Sequence, residues 1–340
     1  MSIKKIAEMT GLSTTTVSHA INGTRTVSKQ SKELVEKAIA EIGYKPNMAA
    51  KMLRTNQSKI IALIIPTTEP NNSTNCFFFD VLNGARERLQ QSGYDLMIAT
   101  YSELQSNKKL INLQLFEKQL VDGVILVPYS QDSDSVSELQ KLGIPIVLAD
   151  RRIKNCNLPC VYSDNIGGTK DSISLLYQNG CRKIGLICGN RDFSTSEDRY
   201  TGYIDALKER GLPIDQSLIH VDLPYTFEAG KDAADSLLQN GADAIFCANN
   251  MLLKGVLSYC YSMGISIPED LAIVGFDDID WMRVTPAPIT ATYQNPYEIG
   301  IQAATLLLET LSGEDTSNKE TVLPCELILR SSHQKQMFKL

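Results

Sequence analysis

The sequence has no long apolar segment and no apolar leader. No stretch of it approaches the roughly 18 uninterrupted apolar residues that a membrane-spanning helix needs. The first residues, MSIKKIAEM, lack the apolar block of a signal peptide. We therefore expect a cytoplasmic protein that does not interact with a membrane.

The residues and motifs of catalysis are also scarce. Only three histidines occur in 340 residues, and they lie far apart at His19, His220 and His333. The nucleophile elbow G-x-S-x-G, the phosphate loop G-x-x-x-x-G-K-[ST] and the dinucleotide fingerprint G-x-G-x-x-G after a strand are absent. Asp277 and Asp278 form a pair of carboxylates, but adjacent side chains usually point apart. These absences favour a protein that is not an enzyme.

The eight cysteines form no recognisable framework. Several lie inside apolar runs, as Cys188 and Cys247 do, where reduced cysteine packs as a small hydrophobic residue. Cys156 and Cys160 are the closest pair, yet no second pair and no nearby histidine complete a zinc site. We expect no disulfide, no metal ion and no organic cofactor.

Charge is distributed unevenly along the chain. The formal net charge is −6, but residues 1–58 carry nine basic and four acidic side chains, a net of +5. Residues 59–340 carry the remaining 24 basic and 35 acidic side chains, a net of −11. A basic head on an acidic body indicates that only the first segment contacts nucleic-acid phosphates.

Residues 1–46 have the pattern of three short helices. Apolar residues at helical spacing predict a first helix that ends at Gly11. Ser13 is a suitable N-cap for a second helix, and Ser28 is one for a third helix, which Gly43 stops. A helix, a tight turn, a second helix and a supporting helix together form the helix-turn-helix arrangement.

The second predicted helix exposes Thr14, Thr15, Ser18 and His19. Short hydrogen-bonding side chains of this kind suit base edges and phosphates. Three amphipathic helices also occur in many small domains that bind nothing, and the spacing alone leaves that alternative open. The exposed face favours a DNA-binding headpiece.

A short polar linker follows the headpiece. Asn47 can cap a helix from Met48 to Arg54, and residues 55–59 are polar. A helix of under two turns is marginal in water because nucleation is costly. We expect this helix to form only when a partner holds it.

From Ile60 onward, apolar strands alternate with amphipathic helices. Such strands with helical crossovers predict parallel sheets covered on both faces, here two doubly wound parallel-sheet lobes of the α/β class. The predicted strands are 60–65, 94–99, 122–127, 144–149, 183–188, 218–221, 244–248 and 271–276, and the predicted helices include 77–91, 198–210 and 229–239.

Polar residues follow several of these strands, and ligands of open parallel sheets bind beyond the carboxyl ends of the strands. Taken singly, each of these side chains could instead cap a turn, form a surface ion pair or pack in the core. Together with nearby aromatic residues they predict a site for a polyhydroxylated ligand. The candidates are Asp150-Arg151-Arg152, Arg199, Asn249-Asn250, Asp277-Asp278, Phe77, Phe78 and Tyr225.

The sequence resembles the LacI family of bacterial repressors over about residues 2–332. The similarity is most specific in LSTTTVSHAIN (12–22), IGYKPN (42–47) and AAKMLR (49–54), and it continues in DGVIL (122–126), VGFDDI (274–279) and TPAPIT (285–290). The resemblance implies a core like that of periplasmic sugar-binding proteins and a homodimer on double-stranded palindromic operator DNA. It also implies that a small-molecule effector controls operator binding allosterically.

The resemblance assigns residues to both sites. It implies DNA contacts from Thr14, Thr15, Thr16, Ser18, His19, Asn22, Ala50, Leu53 and Arg54, with Leu53 as a wedge in the minor groove. It implies effector contacts from Phe78, Asp150, Arg199, Tyr225, Asn249 and Asp277. Asn250 and Cys76 depart from the Asp and the Pro that are common in the family at those positions.

The predicted organisation is a headpiece at 1–46, a hinge at 47–59, a two-lobed core at 60–332 and a tail at 333–340. The predicted function is transcriptional regulation, as a repressor of a sugar-utilisation operon. We expect the effector to be a pentose or related sugar, and the alternative is a purine or nucleoside corepressor. The alternatives outside regulation are a plain carbohydrate-binding protein and a sugar-metabolising enzyme with a DNA-binding domain.

Overall fold

The structure is a computed structural model that describes residues 3–22, 25–44, 57–67, 76–102, 109–131 and 134–335. Contacts divide the chain into two units, Met1–Ser58 and Lys59–Leu340. Each unit has its own buried apolar core. The helix predicted at 48–54 lies outside the described residues.

The described part of the first unit contains three helices. They are α1 (Ile3–Thr10), α2 (Thr14–Asn22) and α3 (Lys29–Ile42). Their apolar faces meet around Ile6, Val17 and Val35, each of which is almost completely buried. The predicted helix-turn-helix arrangement is confirmed.

The caps of these helices are those that the sequence predicts. The Thr16 amide donates to Ser13 Oγ at 3.0 Å, and the Ser31 amide donates to Ser28 Oγ at 3.2 Å. Both bonds satisfy amides that the first turn of a helix leaves without a partner. Gly43 follows α3 with a φ of +58°, a left-handed conformation that favours glycine.

The first lobe of the second unit, lobe 1, is built on a six-stranded parallel sheet with apolar clusters on both faces. Its strands are β1 (Ile60–Pro66), β2 (Asp95–Tyr101), β3 (Gly123–Leu126), β4 (Ile146–Ala149), β5 (Cys160–Ser163) and β11 (Glu320–Leu323), in the spatial order β11-β5-β4-β3-β1-β2. The helices of this lobe are α4 (Phe77–Gln91), α5 (Gln114–Glu117), α6 (Asp134–Gln140) and α11 (Pro296–Leu311).

The second lobe, lobe 2, has a sheet of the same size. Its strands are β6 (Ile184–Gly189), β7 (Ile219–Leu223), β8 (Ala244–Cys247), β9 (Ala272–Phe276), β10 (Thr290–Tyr293) and β12 (Glu326–Ile328), in the order β12-β10-β9-β8-β6-β7. Its helices are α7 (Asn165–Gln178), α8 (Ser194–Glu209), α9 (Phe227–Gln239) and α10 (Asn250–Met263). Strand β12 runs antiparallel to β10, whereas the sequence pattern predicts parallel strands. Strand β12 enters this sheet two residues after β11 of the other lobe, and not through the helical crossover that parallel neighbours in one sheet need.

The lobes are not successive segments of the chain. The chain leaves lobe 1 after β5, returns for α11 and β11, and enters lobe 2 again with β12. Helix α11 packs closely on α4 at two glycines. A Cβ atom at Gly84 would collide with the carbonyl group of Tyr297, and one at Gly300 with that of Val81. Glycine is therefore required for this close approach of the two helices.

The long apolar runs of the sequence locate their strands well. Eight predicted strands differ from the observed ones by at most two residues at either end, and α8 begins four residues before its predicted start. The prediction lacks β5, β10, β11 and β12, which have three or four residues each. None of the helices in the described ranges is long and apolar enough to span a membrane.

Candidate functional site

A cavity of about 420 Å³ lies where residues that follow the strands of the two lobes face each other. It brings together all six residues that the sequence analysis assigns to effector binding. Lobe 1 contributes Ile65, Pro66, Thr67, Phe77, Phe78, Phe79, Leu82, Ile98, Thr100, Asp150 and Arg151, and lobe 2 contributes Thr195, Arg199, Tyr225, Asn249, Met251, Asp277 and Gln294. The charged and amide groups are called the polar end of the cavity: Asp150, Arg151, Arg199, Asn249, Asp277 and Gln294. The aromatic side chains are called its aromatic wall: Phe77, Phe78, Phe79 and Tyr225.

Asp150 follows β4 directly and has a φ of +69°. Its side chain is almost completely buried, and the nearest cation is Arg151, whose Nε lies 3.6 Å from Asp150 Oδ2. Burial disfavours the charged carboxylate and raises the pKa of Asp150 to about 6, although Arg151 and Arg199 partly oppose the rise. Asp150 therefore changes its charge within the range of pH that cells encounter.

Arg199 lies about one turn inside α8 and is buried. Its Nε donates to Asn165 Oδ1 at 2.8 Å, and Nη1 donates to the carbonyl oxygen of Ala248 at 2.6 Å. Nη2 lies 3.9 Å from Asp277 Oδ1, and the guanidinium group lies over the Phe276 ring at 3.7 Å. These contacts fix the positive charge at the bottom of the polar end.

The adjacent carboxylates after β9 point to different partners, as the sequence analysis expects of chain neighbours. Asp277 lines the cavity and accepts a hydrogen bond from Gln294 Nε2 at 2.6 Å. Asp278 forms a two-point ion pair with Arg330, with distances of 2.6 and 2.7 Å. Only the first carboxylate of the pair is therefore available to a ligand in this cavity.

Asn249 serves the fold as well as the cavity that it lines. It is the N-cap of α10, and its Oδ1 accepts from the amides of Met251 and Leu252 at 2.8 and 3.3 Å. The alternative that a strand-end side chain caps the next turn is thus correct for this oxygen. The amide nitrogen is the part of Asn249 that can still serve a ligand. Asn250, the first residue of α10, is buried.

The aromatic wall is built from both lobes. Phe77 and Phe78, at the start of α4, pack edge to face with ring centroids 5.3 Å apart. Tyr225 stacks on Phe193 at 6.0 Å, and its hydroxyl lies 2.8 Å from Ser196 Oγ. Fixed rings of this kind can cover the apolar face of a sugar or of a planar base.

Five polar lining residues are not among those that the resemblance assigns to effector binding: Thr67, Thr100, Arg151, Thr195 and Gln294. Arg151 stands inside the noted run of charges after β4, but the resemblance assigns it no role. Thr195 belongs to the first turn of α8, and the predicted helix begins too late to include it. Gln294 follows β10, a strand that the pattern does not predict. Its position at a strand end was therefore not visible in the sequence.

Helix α2 carries most of the residues predicted to contact DNA. Thr14 and Thr15 are exposed, whereas Ser18 and His19 are half-buried. Thr16 is committed to the start of the helix, because its amide and its hydroxyl both lie within hydrogen-bond distance of the capping serine, at 3.0 and 2.8 Å. The first turn of α2 therefore presents two exposed hydroxyl side chains for base edges or phosphates.

Other predicted DNA contacts lie outside the described residues. Ala50, Leu53 and Arg54 belong to the segment 45–56, and the side chain of Asn22 is likewise outside the description. Their roles stay predictions.

Both units match known families. Residues 2–47 match the family described as bacterial regulatory proteins, lacI family, and residues 173–333 match a periplasmic binding protein-like domain. The transcriptional repressor CytR of Escherichia coli strain K12 is 32% identical over 332 residues, which cover 97% of this chain and 95% of CytR. The transcriptional repressor PurR of Haemophilus influenzae is 32% identical over 337 residues, which cover 97% of this chain and 98% of PurR.

Solved structures agree with these matches. The transcriptional regulator CelR in complex with cellobiose is similar with a TM-score of 0.76 and 28% identity, over 98% of this chain and 99% of that chain. The lac repressor dimer bound to operator has a TM-score of 0.85 and 20% identity over the same shares of the two chains. At 20% identity, the likeness to the lac repressor shows a shared fold.

Proposed function

The chain belongs to the LacI family of bacterial regulatory proteins, and we propose that it represses a sugar-utilisation operon under the control of a ligand bound between its lobes. Within the family it is a DNA-binding transcriptional repressor of LacI type with a ligand-binding domain. In this proposal a homodimer reads a palindromic operator with α2 of each protomer.

The observation that carries the proposal is the pairing of a polar end with an aromatic wall in one cavity. The hydroxyls of a pentose donate and accept hydrogen bonds, and the polar end offers carboxylates, guanidinium groups and amides to them. The aromatic wall suits a planar ring attached to that sugar. We therefore propose an effector that contains a pentose, with a nucleoside as the form that occupies both parts of the cavity.

The relatives support a sugar-containing ligand. CelR, which matches this chain over nearly its whole length, is solved as a complex with the sugar cellobiose. CytR and PurR, which match to a similar extent, are transcriptional repressors. A free pentose and a free purine base remain the alternatives, and each would fill only one part of the cavity.

The test is a fluorescence-anisotropy titration of palindromic operator DNA at one fixed salt concentration, because phosphate contacts make affinity salt-dependent. The compounds added are ribose, xylose, cellobiose, adenine, adenosine and cytidine. We expect sequence-specific binding that a pentose-containing compound strengthens or weakens. The direction of the change identifies the compound as a corepressor or an inducer.

Two variants separate the two sites in this titration. His19→Ala, in α2, should weaken operator binding and leave ligand binding unchanged. Tyr225→Ala, in the cavity, should leave operator binding intact and abolish the effect of the ligand. If the protein shows no preference for any operator or genomic fragment, the proposed regulatory function is contradicted. If specific binding responds to adenine alone, the proposed pentose-containing effector is contradicted.

A further inference from the structure

Phe193 lies between the two lobes, next to the cavity. It is the residue before α8 of lobe 2, and it is only 5% exposed. The apolar clusters that the structure describes in the two lobes do not include it. A large apolar side chain that is buried outside these clusters must be covered by other groups. Aromatic rings and a guanidinium group cover Phe193.

Lobe 1 contributes two of these groups. The Tyr129 ring meets the Phe193 ring edge to face, with centroids 5.9 Å apart. The guanidinium carbon of Arg151 lies 4.3 Å from the centroid of the Phe193 ring, where the electrons of the ring attract the positive charge. Tyr129 and Arg151 follow β3 and β4. Lobe 1 therefore holds a side chain that belongs to lobe 2.

Lobe 1 also binds the backbone that precedes Phe193. The Gln131 amide donates to the carbonyl oxygen of Asp192 at 2.9 Å, and Gln131 Nε2 donates to the carbonyl oxygen of Arg191 at 2.8 Å. Gln131 is itself buried. These two bonds fix a loop of lobe 2 against lobe 1, so the position of Phe193 depends on the contact between the lobes.

Phe193 in turn supports Tyr225 of the aromatic wall. The two rings stack at an interplanar angle of 20°, with centroids 6.0 Å apart. Tyr225 lines the cavity and is half-buried, so a ligand in the cavity can reach its ring. Phe193 stands behind Tyr225, outside the described lining. Any effect of Phe193 on a ligand must therefore pass through a side chain that lines the cavity.

The stacking fixes the part of the Tyr225 geometry that other contacts leave open. The Tyr225 hydroxyl lies 2.8 Å from Ser196 Oγ, and a Cβ atom at Gly189 would collide with the hydroxyl end of the ring. A tyrosine held at this end can still rotate about its long axis, because the torsion of its ring is soft. A stacked neighbour opposes that rotation. Phe193 therefore determines which surface of the Tyr225 ring faces the cavity.

We propose that Phe193 is a positioning residue of the effector site, which holds the Tyr225 ring in the orientation that covers the ligand while lobe 1 binds the loop before Phe193. The inference rests on the proposed function, because it requires that the cavity bind the effector. Through Phe193, lobe 1 acts on an aromatic side chain of lobe 2. The aromatic wall is thus complete only when the lobes are in contact.

Calorimetric titration of the full-length protein with the compounds of the operator test measures this role. The tightest binder of the wild type should bind Phe193→Leu about 3- to 10-fold more weakly, because the stacked pair is lost. Phe116→Leu, in the core of lobe 1, changes a side chain that is 6% exposed and is the matched control. Both variants should melt at a lower temperature, but Phe116→Leu should keep the affinity of the wild type. An unchanged affinity of Phe193→Leu, or an equal loss in both variants, overturns the proposal.

A double-mutant cycle separates positioning from a structural role. Tyr225→Leu keeps an apolar side chain, so its residual binding is measured at millimolar ligand. If Phe193 acts through Tyr225, Phe193→Leu should weaken binding to the Tyr225→Leu protein by less than about twofold. A residue that only supports the fold would weaken binding by the same factor in both backgrounds, and that result overturns the assignment.

A third variant tests the part of lobe 1. Gln131→Met keeps the length of the side chain and removes the donor to Arg191, so the tightest binder should bind about 2- to 10-fold more weakly. It should have little further effect in the Phe193→Leu protein, and equal effects in both backgrounds overturn the part assigned to lobe 1. Gln239→Met, at an exposed position on α9, is the control. If no compound binds the wild type at millimolar concentration, the proposed effector is contradicted and this inference with it, whereas operator binding in the same samples reports separately on the repressor.

Discussion

The burial of Asp150 makes the stability of lobe 1 dependent on pH. Its pKa is raised from 3.8 to about 6, so the folded protein holds this proton more tightly than the unfolded chain does. The stability that Asp150 contributes is therefore fully present below about pH 4 and is lost as the pH rises through 6. Asp150→Asn cannot ionise and should be more stable than the wild type at pH 7, by on the order of 1–3 kcal/mol.

Denaturant unfolding at pH 4 and pH 7 measures this difference. Trp281, the only tryptophan, lies in the second unit and reports its unfolding by fluorescence. Asp232→Asn removes the same charge from an exposed position on α9 and is the control. If the difference in free energy of unfolding between the wild type and Asp150→Asn is no larger at pH 7 than at pH 4, the raised pKa of Asp150 is contradicted.

At the level of single residues, the sequence identified lining side chains that follow a recognisable strand. Asp150, Asn249 and Asp277 come directly after long apolar runs, which made their position at the sheet edge visible. Gln294 follows a strand of four residues that has no such run. Local patterns also did not show that Asn249 Oδ1 accepts the hydrogen bonds of a helix cap, since that depends on side-chain geometry.

A contact between two elements joins the lobes at one side of the cavity. Arg152 follows β4 in lobe 1, and its Nη2 donates to both carboxylate oxygens of Asp198, on α8 of lobe 2, at 2.6 Å. The Arg152 amide also donates to Ser194 Oγ at 2.8 Å. Because the pair bridges the two lobes, Arg152→Met should both destabilise the second unit and weaken effector binding.

The free-energy cost of breaking the Arg152–Asp198 pair depends on its partial burial. The Arg152 and Asp198 side chains are 33% and 13% exposed, so the cost of breaking the pair should fall between the about 0–1 kcal/mol of a surface pair and the about 3–5 kcal/mol of a buried one. A double-mutant cycle of Arg152→Met and Asp198→Asn measures the coupling free energy. The exposed pair Lys170–Glu209, within lobe 2, is the control and should couple more weakly. Equal coupling in both pairs would contradict the bridging role.

At the level of elements, apolar runs located eight of the twelve described strands but missed the inner strands β5 and β10. Strands β5 (CVYS) and β11 (ETVL) were not predicted, because each mixes polar and apolar residues over four positions and does not stand out from a loop. The return of the chain to lobe 1 as α11 is determined by tertiary packing. It depends on the glycine contact between α4 and α11, which no local pattern contains.

For the molecule as a whole, the uneven charge of the two units agrees with operator binding by the first unit and effector binding by the second. The first unit is basic, and the ligand cavity lies entirely in the acidic second unit. Operator affinity should therefore fall steeply with salt, because bound phosphates release counterions, whereas affinity for an uncharged effector should change little. Anisotropy and calorimetry at several salt concentrations measure the two slopes, and parallel slopes would contradict this division.

Control of operator binding by the effector requires that the two sites be coupled in both directions. If saturating effector changes operator affinity by some factor, saturating operator must change effector affinity by the same factor. We expect equal factors of about 5- to 150-fold, measured by anisotropy for the operator and by calorimetry for the effector at one salt concentration. With His19→Ala, at DNA concentrations too low for this variant to bind, effector affinity should equal that of the DNA-free protein. Factors of one would contradict allosteric control, and unequal factors would indicate that a third equilibrium, such as dimer dissociation, contributes to the response.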